Sequence, residues 1–248
     1  MKRYVLIAGE TSGDQYGSQL MEALKKINPE SEFWGVGGES MIDSGLNQFE
    51  NIHNMSVVGF SEALKKIPKM LKLANRLSLF INEVKPDRVI LIDFPGFNLS
   101  LAKKIKNLSN ETKIDFFISP QVWAWNEGRV KIIKKYINQM IVIFPFEASF
   151  YRKRGIKAHY VGHPYLDQWK PSTTKYLRKK LNLKSSKKII GIFPGSRAQE
   201  LKVHLPIYLR VAKSLSKQKN VQCVIGLAPG FDKLKIKSQF NLGNIKII

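Results

Sequence analysis

The chain has 248 residues, 44% of them hydrophobic, with a formal charge of +22 and a single cysteine. This length suits one large domain or two of ordinary size, and the hydrophobic content excludes general disorder. One cysteine excludes an internal disulfide or a cysteine-rich metal site and fits a reducing cytoplasm; no run of about 18 uncharged apolar residues is present to span a bilayer.

The amino-terminal run Met1–Gly9 starts like a signal peptide, but its apolar stretch is short and meets Glu10 and Asp14 almost at once. Tyr4–Ala8 reads instead as a buried strand, followed by a helix over Gly13–Ile27. Phe33–Val36 is a short strand ending in Gly37-Gly38, and residues 61–84 carry a long helical pattern expected to kink or break near Pro68. Then come a strand at Arg88–Ile92, a helix over Asn98–Leu108, and strands at Phe116–Ile118 and Met140–Phe144 with a basic helix between them. His159–Val161 closes the series. Alternation of this kind is the signature of a parallel α/β sheet.

The texture changes at Trp169-Lys170-Pro171-Ser172-Thr173-Thr174, which reads as a linker. A short helix at Lys175–Leu181 and a fresh unit follow: a strand at Ile189–Phe193, the turn Pro194-Gly195-Ser196, a helix from Arg197 to about Lys217, and strands at Val221–Leu227 and Ile245–Ile248. The expected organisation is a Rossmann-like domain over residues 1–168, a linker over 169–185 and a second Rossmann-like domain from 186 to 248. A second domain of about 70 residues has little area to bury, so it is expected to be the first part of a longer domain.

Ligands of open α/β sheets bind beyond the carboxyl ends of the strands. The first such end is Gly9-Glu10-Thr11-Ser12-Gly13-Asp14, a glycine-bearing turn into a helix that lacks both the dinucleotide fingerprint and a Walker A pattern. Ser12 as a helix cap, with Asp14 complementing the dipole, is its structural alternative. The second is Asp93-Phe94-Pro95-Gly96-Phe97-Asn98, where a carboxylate leaving an apolar strand is partly desolvated, as a general base requires. An Asx-type turn accounts for the same residues. The third is Ser119-Pro120-Gln121-Val122-Trp123-Ala124-Trp125, with Gln121, Asn126 and Arg129 as polar members; its indoles suit either a pocket wall or a core plug. The fourth is Pro194-Gly195-Ser196-Arg197-Ala198-Gln199-Glu200, spaced both as a capping box and as a diphosphate cradle. His163, within Val161-Gly162-His163-Pro164, is a further candidate, and no His, Cys or Asp cluster has metal-ligand spacing.

The long helical region interleaves Phe60, Leu64, Ile67, Leu71, Leu77 and Phe80 with Lys65, Lys66, Lys69, Lys72 and Arg76. It reads either as a helix packed on the sheet with a solvated lysine face or as a surface that docks on anionic lipid.

Taken in order, these segments resemble the lipid-A-disaccharide synthase family. The resemblance also draws on Gly35-Val36-Gly37-Gly38 and Phe144-Pro145-Phe146-Glu147 and runs from the first strand to the last residues. It implies an α/β fold of the GT-B type, two Rossmann-like domains with parallel sheets, the second incomplete here and the activity of this stretch alone absent. It implies an inverting glycosyltransferase that joins UDP-2,3-diacylglucosamine to 2,3-diacylglucosamine 1-phosphate (lipid X) and releases UDP, with no cofactor and no metal. Asp93 matches the family's base. Glu10, Ser12, Gly13, Asp14, Gln121, Trp123, Arg129 and His163 fall to substrate binding, and Gly195, Ser196, Arg197 and Glu200 to the UDP diphosphate. Phe60, Leu64, Lys65, Lys66, Lys69, Leu71 and Lys72 fall to membrane or acyl contact. The protein is expected at the cytoplasmic face of the bacterial inner membrane, with a homodimer open to the full-length protein. A different GT-B enzyme, such as a UDP-GlcNAc transferase or 2-epimerase, and, on charge alone, a nucleic-acid-binding α/β protein are the alternatives; the resemblance implies no nucleic acid partner.

Overall fold

A computed structural model describes residues 1–52, 55, 60–124, 127–196, 198–218, 220–228, 231–243 and 245–248, without the side chains of 60–66 and 168. The chain divides into two compact units, Met1–Trp169 and Lys170–Ile248.

The first unit runs β1 (Arg3–Ala8), α1 (Thr11–Ile27), β2 (Glu32–Gly37), α2 (Glu39–Asp43), β3 (Leu46–Asn51), α3 (Phe60–Val84), β4 (Arg88–Ile92), α4 (Pro95–Leu108), β5 (Ile114–Phe117), α5 (Arg129–Tyr136), β6 (Gln139–Val142), α6 (Pro145–Arg152), β7 (Ala158–Tyr160) and α7 (Tyr165–Gln168). Its strands form one seven-stranded sheet in the order β3-β2-β1-β4-β5-β6-β7. Every pairing is parallel. Central strands of such a sheet are covered on both faces, which is why Val5–Ala8 and Val89–Ile92 are unbroken apolar runs with almost no exposure.

Three sequence expectations change here. β3 escapes a reading by apolar pattern because its sequence, Leu-Asn-Gln-Phe-Glu-Asn, is that of a polar edge strand. Its amides are used across the pair: Asn47 Nδ2 donates to Phe33 O at 3.1 Å and Gln48 Nε2 to Gly37 O at 2.9 Å. α3 continues through Pro68 as one helix. Proline removes one backbone donor there, while the following turns are anchored by buried Leu73, Ala74, Leu77 and Ile81. Finally, α1 begins at Thr11, two residues before the expected start.

The second unit runs α8 (Thr174–Lys180), β8 (Lys188–Ile192), α9 (Ala198–Ser216), β9 (Val221–Ile225), α10 (Lys233–Gln239) and β10 (Lys246–Ile247). Its strands form a parallel three-stranded sheet in the order β10-β9-β8. Leu201, Leu205, Leu209, Val221, Cys223 and Ile225 pack its own core. The segment after α8 is tied in as well: Lys246 Nζ donates to Leu181 O at 3.0 Å and the Lys184 N–H to Gln222 Oε1 at 3.3 Å.

One buried ion organises the first βαβ connection. Asp14 is 3% exposed and accepts from the backbone N–H groups of Gly38 (2.6 Å), Ser40 (3.0 Å) and Met41 (3.1 Å). Its carboxylate therefore caps α2 and pins the turn after β2 to α1. Asp14→Ala leaves those donors unsatisfied and is expected to lower the unfolding free energy of the first unit by about 2–4 kcal/mol, with Asp14→Asn losing less. Urea denaturation followed by tryptophan fluorescence measures this, and an unchanged midpoint in the alanine variant would remove Asp14 from that role.

Candidate active site

The direction of strand addition reverses between β1 and β4, so a crevice opens between their carboxyl ends. Their register sets Ala8 beside Ile92, and Gly9-Glu10 and Asp93 leave the sheet side by side. Glu10 occupies the N-cap position of α1 in extended backbone, with no side-chain cap bond. Ser12 is thus not the cap that its sequence position suggested; it lies exposed within the first turn beside exposed Glu10 and Thr11. Gly13 is buried against Ala8.

The chain leaves β4 under strain. Asp93 and Phe94 both have φ of +46°, consecutive non-glycine residues in the left-handed region. Each costs on the order of 1–3 kcal/mol, and such strain persists only where its surroundings hold it. The ring of Phe94 fills the space over Gly9, where a Cβ would fall 2.3 Å from Phe94 Cγ, so only glycine admits it. On the other side Asn98, fully buried, donates through Nδ2 to Asp93 O at 2.7 Å and Ile92 O at 3.3 Å.

Burial raises the carboxyl pKa of Asp93 above its ordinary value; the Phe94 N–H opposes this, and the neighbouring charge of Glu10 adds to it. Tyr16, on α1, is pushed up by burial and then by the charge of Asp93. Its ring meets that of His163 edge-on at 6.0 Å. Three strand ends therefore contribute to one neighbourhood: Glu10 and Tyr16 after β1, Asp93 after β4, His163 after β7.

From His163 a row of rings continues. His163 contacts Phe144 at 6.5 Å, Phe144 stacks on Phe146 at 5.9 Å, and Phe146 meets Trp123 edge-on at 4.9 Å. Glu147, 1% exposed, fixes the row by accepting from Trp123 Nε1 at 3.2 Å and the Phe144 N–H at 3.1 Å. Behind it, Ser119 Oγ and Tyr151 Oη share a hydrogen bond of 2.7 Å, and burial pushes the Tyr151 phenol up to about 12. Trp123 is half-buried, Gln121 is exposed, and Arg129 opens α5 half-buried. Trp125 and Asn126 lie outside the described residues.

In the second unit the turn after β8 is held from two sides. Gly195 has φ of +126°, a left-handed value that favours glycine. Glu200 Oε2 accepts from the Ser196 N–H at 2.9 Å, and His204 Nδ1 lies 3.0 Å from Pro194 O. The capping box expected from Ser196 to Gln199 gives way to a longer contact: α9 starts at Ala198, and Glu200, four residues after Ser196, accepts from the Ser196 N–H. Arg197 lies outside the described residues.

On α3, the side chains of Phe60, Leu64, Lys65 and Lys66 lie outside the description. Leu77 belongs to the core, and Phe80 packs on Trp34 and Phe49. Ile67 and Leu71 are instead exposed, 47% each. The same helix lines a pocket of about 210 Å³ in which Met55, Met70 and Leu73 lie with Lys69, Lys72, Arg76 and the acidic Glu50. Among the described residues no helix is long and apolar enough to cross a membrane, and no group of three or more His, Cys, Asp or Glu could hold a metal.

Tyr16, Phe94, Asn98 and Glu147 were not singled out by sequence reasoning. The last three stand inside motifs that were; Tyr16 carries no local signal, since only the sheet order brings it to Asp93.

Parallel Rossmann-like units with polar chemistry at a topological switch point define an α/β protein of the GT-B type. Solved structures agree on this fold: UDP-GlcNAc 2-epimerase from Neisseria meningitidis bound to UDP-GlcNAc (TM-score 0.63, 14% identity, covering 100% of this chain and 72% of that one) and the UDP-GlcNAc 2-epimerase from Methanocaldococcus jannaschii (0.57, 14%, 100% and 73%). Sequence goes further. The family model for lipid-A-disaccharide synthetase matches residues 4–247, and the chain belongs to that family. It is 38% identical over 240 residues to the lipid-A-disaccharide synthase of Myxococcus xanthus, covering 96% of this chain and 62% of the relative. It is 37% identical over 249 residues to that of Coxiella burnetii, covering 100% and 65%. The chain thus spans 62–65% of the length of these relatives.

The ring row generates a test. Glu147→Ala removes the acceptor for Trp123 Nε1 and the Phe144 N–H and is expected to destabilise the first unit by about 2–3 kcal/mol. It also frees Trp123, so tryptophan emission should shift to the red while the unit remains folded at low denaturant. An unchanged emission maximum and midpoint would show that Glu147 does not hold the row.

Proposed function

We propose that the protein carrying this chain is an inverting glycosyltransferase of lipid A biosynthesis, condensing UDP-2,3-diacylglucosamine with 2,3-diacylglucosamine 1-phosphate. The observation that carries this reading is a desolvated carboxylate, Asp93, held at the switch point of a chain that belongs to the lipid-A-disaccharide synthetase family. In a single displacement, Asp93 takes the proton of the acceptor 6-hydroxyl as its oxygen forms the new bond to the anomeric carbon of the donor. The bond from that carbon to the diphosphate breaks, and UDP leaves with the electron pair. A raised pKa makes Asp93 a stronger base than an ordinary aspartate, and its ionised form is the reactive one.

The other residues take roles from their surroundings. Glu10, Ser12 and Gly13 line the acceptor side at the start of α1; Asp14, its carboxylate engaged by backbone N–H groups, holds the neighbouring turn. Trp123 presents a ring face, Gln121 and His163 offer hydrogen bonds, and Arg129 takes the acceptor phosphate. Gly195, Ser196 and Arg197 receive the donor diphosphate, with Glu200 tying the turn in shape. Ile67, Leu71 and the pocket under Lys69, Lys72 and Arg76 meet acyl chains and anionic headgroups at the inner face of the inner membrane.

Asp93→Asn in the whole protein should lower kcat by about 10²–10⁴-fold, the usual contribution of a general base. The parent rate should fall as pH drops through the raised Asp93 pKa, so the acid limb lies above the ordinary aspartate range. Turnover assays with acylated and non-acylated UDP-glucosamine donors across pH check both points, and a fully active asparagine variant would remove Asp93 as base.

Replacing Lys69, Lys72 and Arg76 together with Gln should weaken flotation with phosphatidylglycerol vesicles about 100-fold, at roughly 1 kcal/mol per basic residue. Undiminished flotation would place lipid contact elsewhere.

A further inference from the structure

We infer that Asn98 is the positioning residue that keeps the Asp93 carboxylate in its working orientation, an inference that rests on Asp93 being the base. Two carbonyls are displaced from ordinary partners where the chain turns out of β4. Asp93 N–H still closes the strand ladder by donating to Phe117 O at 2.9 Å, but Asp93 and Phe94 then both turn left-handed before α4 begins. Asn98 sits one turn into α4 and answers both carbonyls with a single amide group, Ile92 O at 3.3 Å and Asp93 O at 2.7 Å. Its own backbone N–H donates to Phe94 O at 3.1 Å, so side chain and main chain together grip three successive residues.

The cost of this arrangement points to its purpose. Asn98 is fully buried and its Oδ1 has no hydrogen-bond partner. A buried amide left half-satisfied is unfavourable, and an apolar residue would fill the same volume without that penalty. What the apolar residue cannot do is donate to Asp93 O. Without that bond, and with proline following at 95, Phe94 has every reason to return to the extended backbone favoured before proline. That rotation would carry the preceding Asp93 with it and swing the carboxylate away from the crevice. The opposite wall closes the other escape, because Phe94 rests on the bare backbone of Gly9. Asn98 and Gly9 therefore act on one turn from two sides, and neither needs to touch substrate.

A misplaced base lowers the rate of the chemical step more than it alters binding, and an error of about 1 Å costs on the order of 100-fold. In the whole protein, Asn98→Leu is expected to lower kcat about 10- to 100-fold with KM changed less than about twofold. Gly9→Ala, which displaces Phe94 from beneath, should give the same split. Asn98→Ser, which retains a donor, should recover part of the loss and serves with Gly9→Ala if the leucine variant does not fold. Asp93→Asn is measured alongside. If Asn98→Leu and Gly9→Ala keep kcat within twofold while Asp93→Asn is inactive, the inference is overturned and the base assignment stands. A rise in KM at constant kcat overturns it too, because that is a binding role. If Asp93→Asn stays active, the base assignment itself falls and takes this inference with it. A purely structural asparagine would lower thermal stability without moving the kcat-to-KM split.

Discussion

The parallel pairing of β1 with β4 decides where polar chemistry can stand in the first unit. Tyr4 through Ala8 align one to one with Arg88 through Ile92, and both strands are buried on both faces. Neither strand can slip without driving apolar residues out of register with the helices that cover them. The two chains therefore emerge together at the carboxyl edge, one as Gly9-Glu10 and the other as Asp93. Gly9 can be bare because β1 ends there, and its bareness admits the Phe94 ring. The strained turn that sets Asp93 at the crevice is thus a consequence of a pairing set by hydrophobic burial several residues away.

The same topology sorts the charge. Helices that cover a parallel sheet run opposite to its strands, so their carboxyl ends collect at the amino edge, where backbone carbonyls leave a partial negative charge. Basic residues stand in the last turns of α1 (Lys25, Lys26), α4 (Lys106), α5 (Lys134, Lys135) and α6 (Arg152). Three cations of a groove at this edge, Lys106, Lys134 and Lys135, belong to these last turns, while Lys157 lies in the loop before β7; Lys106 donates to Asn110 O at 2.9 Å, just past the end of α4. Dipole complementation accounts for the helix-end cations without a ligand. It does not account for α3, which has no basic residue in its last turn and carries Lys69, Lys72 and Arg76 in its body beside exposed Ile67 and Leu71. The net charge of +22 thus includes cations that helix ends do not explain, on α3 and also on α9, where Lys202 and Arg210 stand beside exposed Val203, Ile207 and Val211.

What could be read from sequence follows the same division. Buried strands such as β1 and β4 are legible because burial on two faces demands continuous apolar residues. β3 is not, because an edge strand is held by backbone and amide bonds that leave no hydrophobic period. The Asp93 motif was legible as a carboxylate at a strand end, yet its two left-handed residues and the grip of Asn98 depend on Gly9, distant in sequence. Asp14 and Glu200 looked like ligand groups because acidic residues near glycine turns suit either role. Both accept from backbone N–H groups and in that way hold turns, which a sequence pattern does not display. Tyr16 was invisible for a simpler reason: a tyrosine inside an amphipathic helix has no pattern of its own.

Trp123 shows how a residue with two plausible readings is divided by its own atoms. Its indole N–H is spent internally on the buried carboxylate of Glu147, which also binds the Phe144 N–H. What remains available is ring surface, and the neighbouring Phe144 and Phe146 add more, 39% and 48% exposed. Such a row can hold the apolar face of a sugar or an acyl methylene chain by dispersion, and Trp123 has no further donor for a hydroxyl. Hydrogen bonds at this edge are then left to its polar neighbours, exposed Gln121 beside it and His163 at the other end of the row. There His163 Nδ1 accepts from the Tyr165 N–H, which leaves Nε2 as the proton-bearing atom of the neutral ring. The crevice is graded as a result, with carboxylates and an imidazole around Asp93 and bare aromatic surface toward Trp123. A ligand that is polar at its reacting hydroxyl and apolar a few ångströms away is the kind that such a gradient orients.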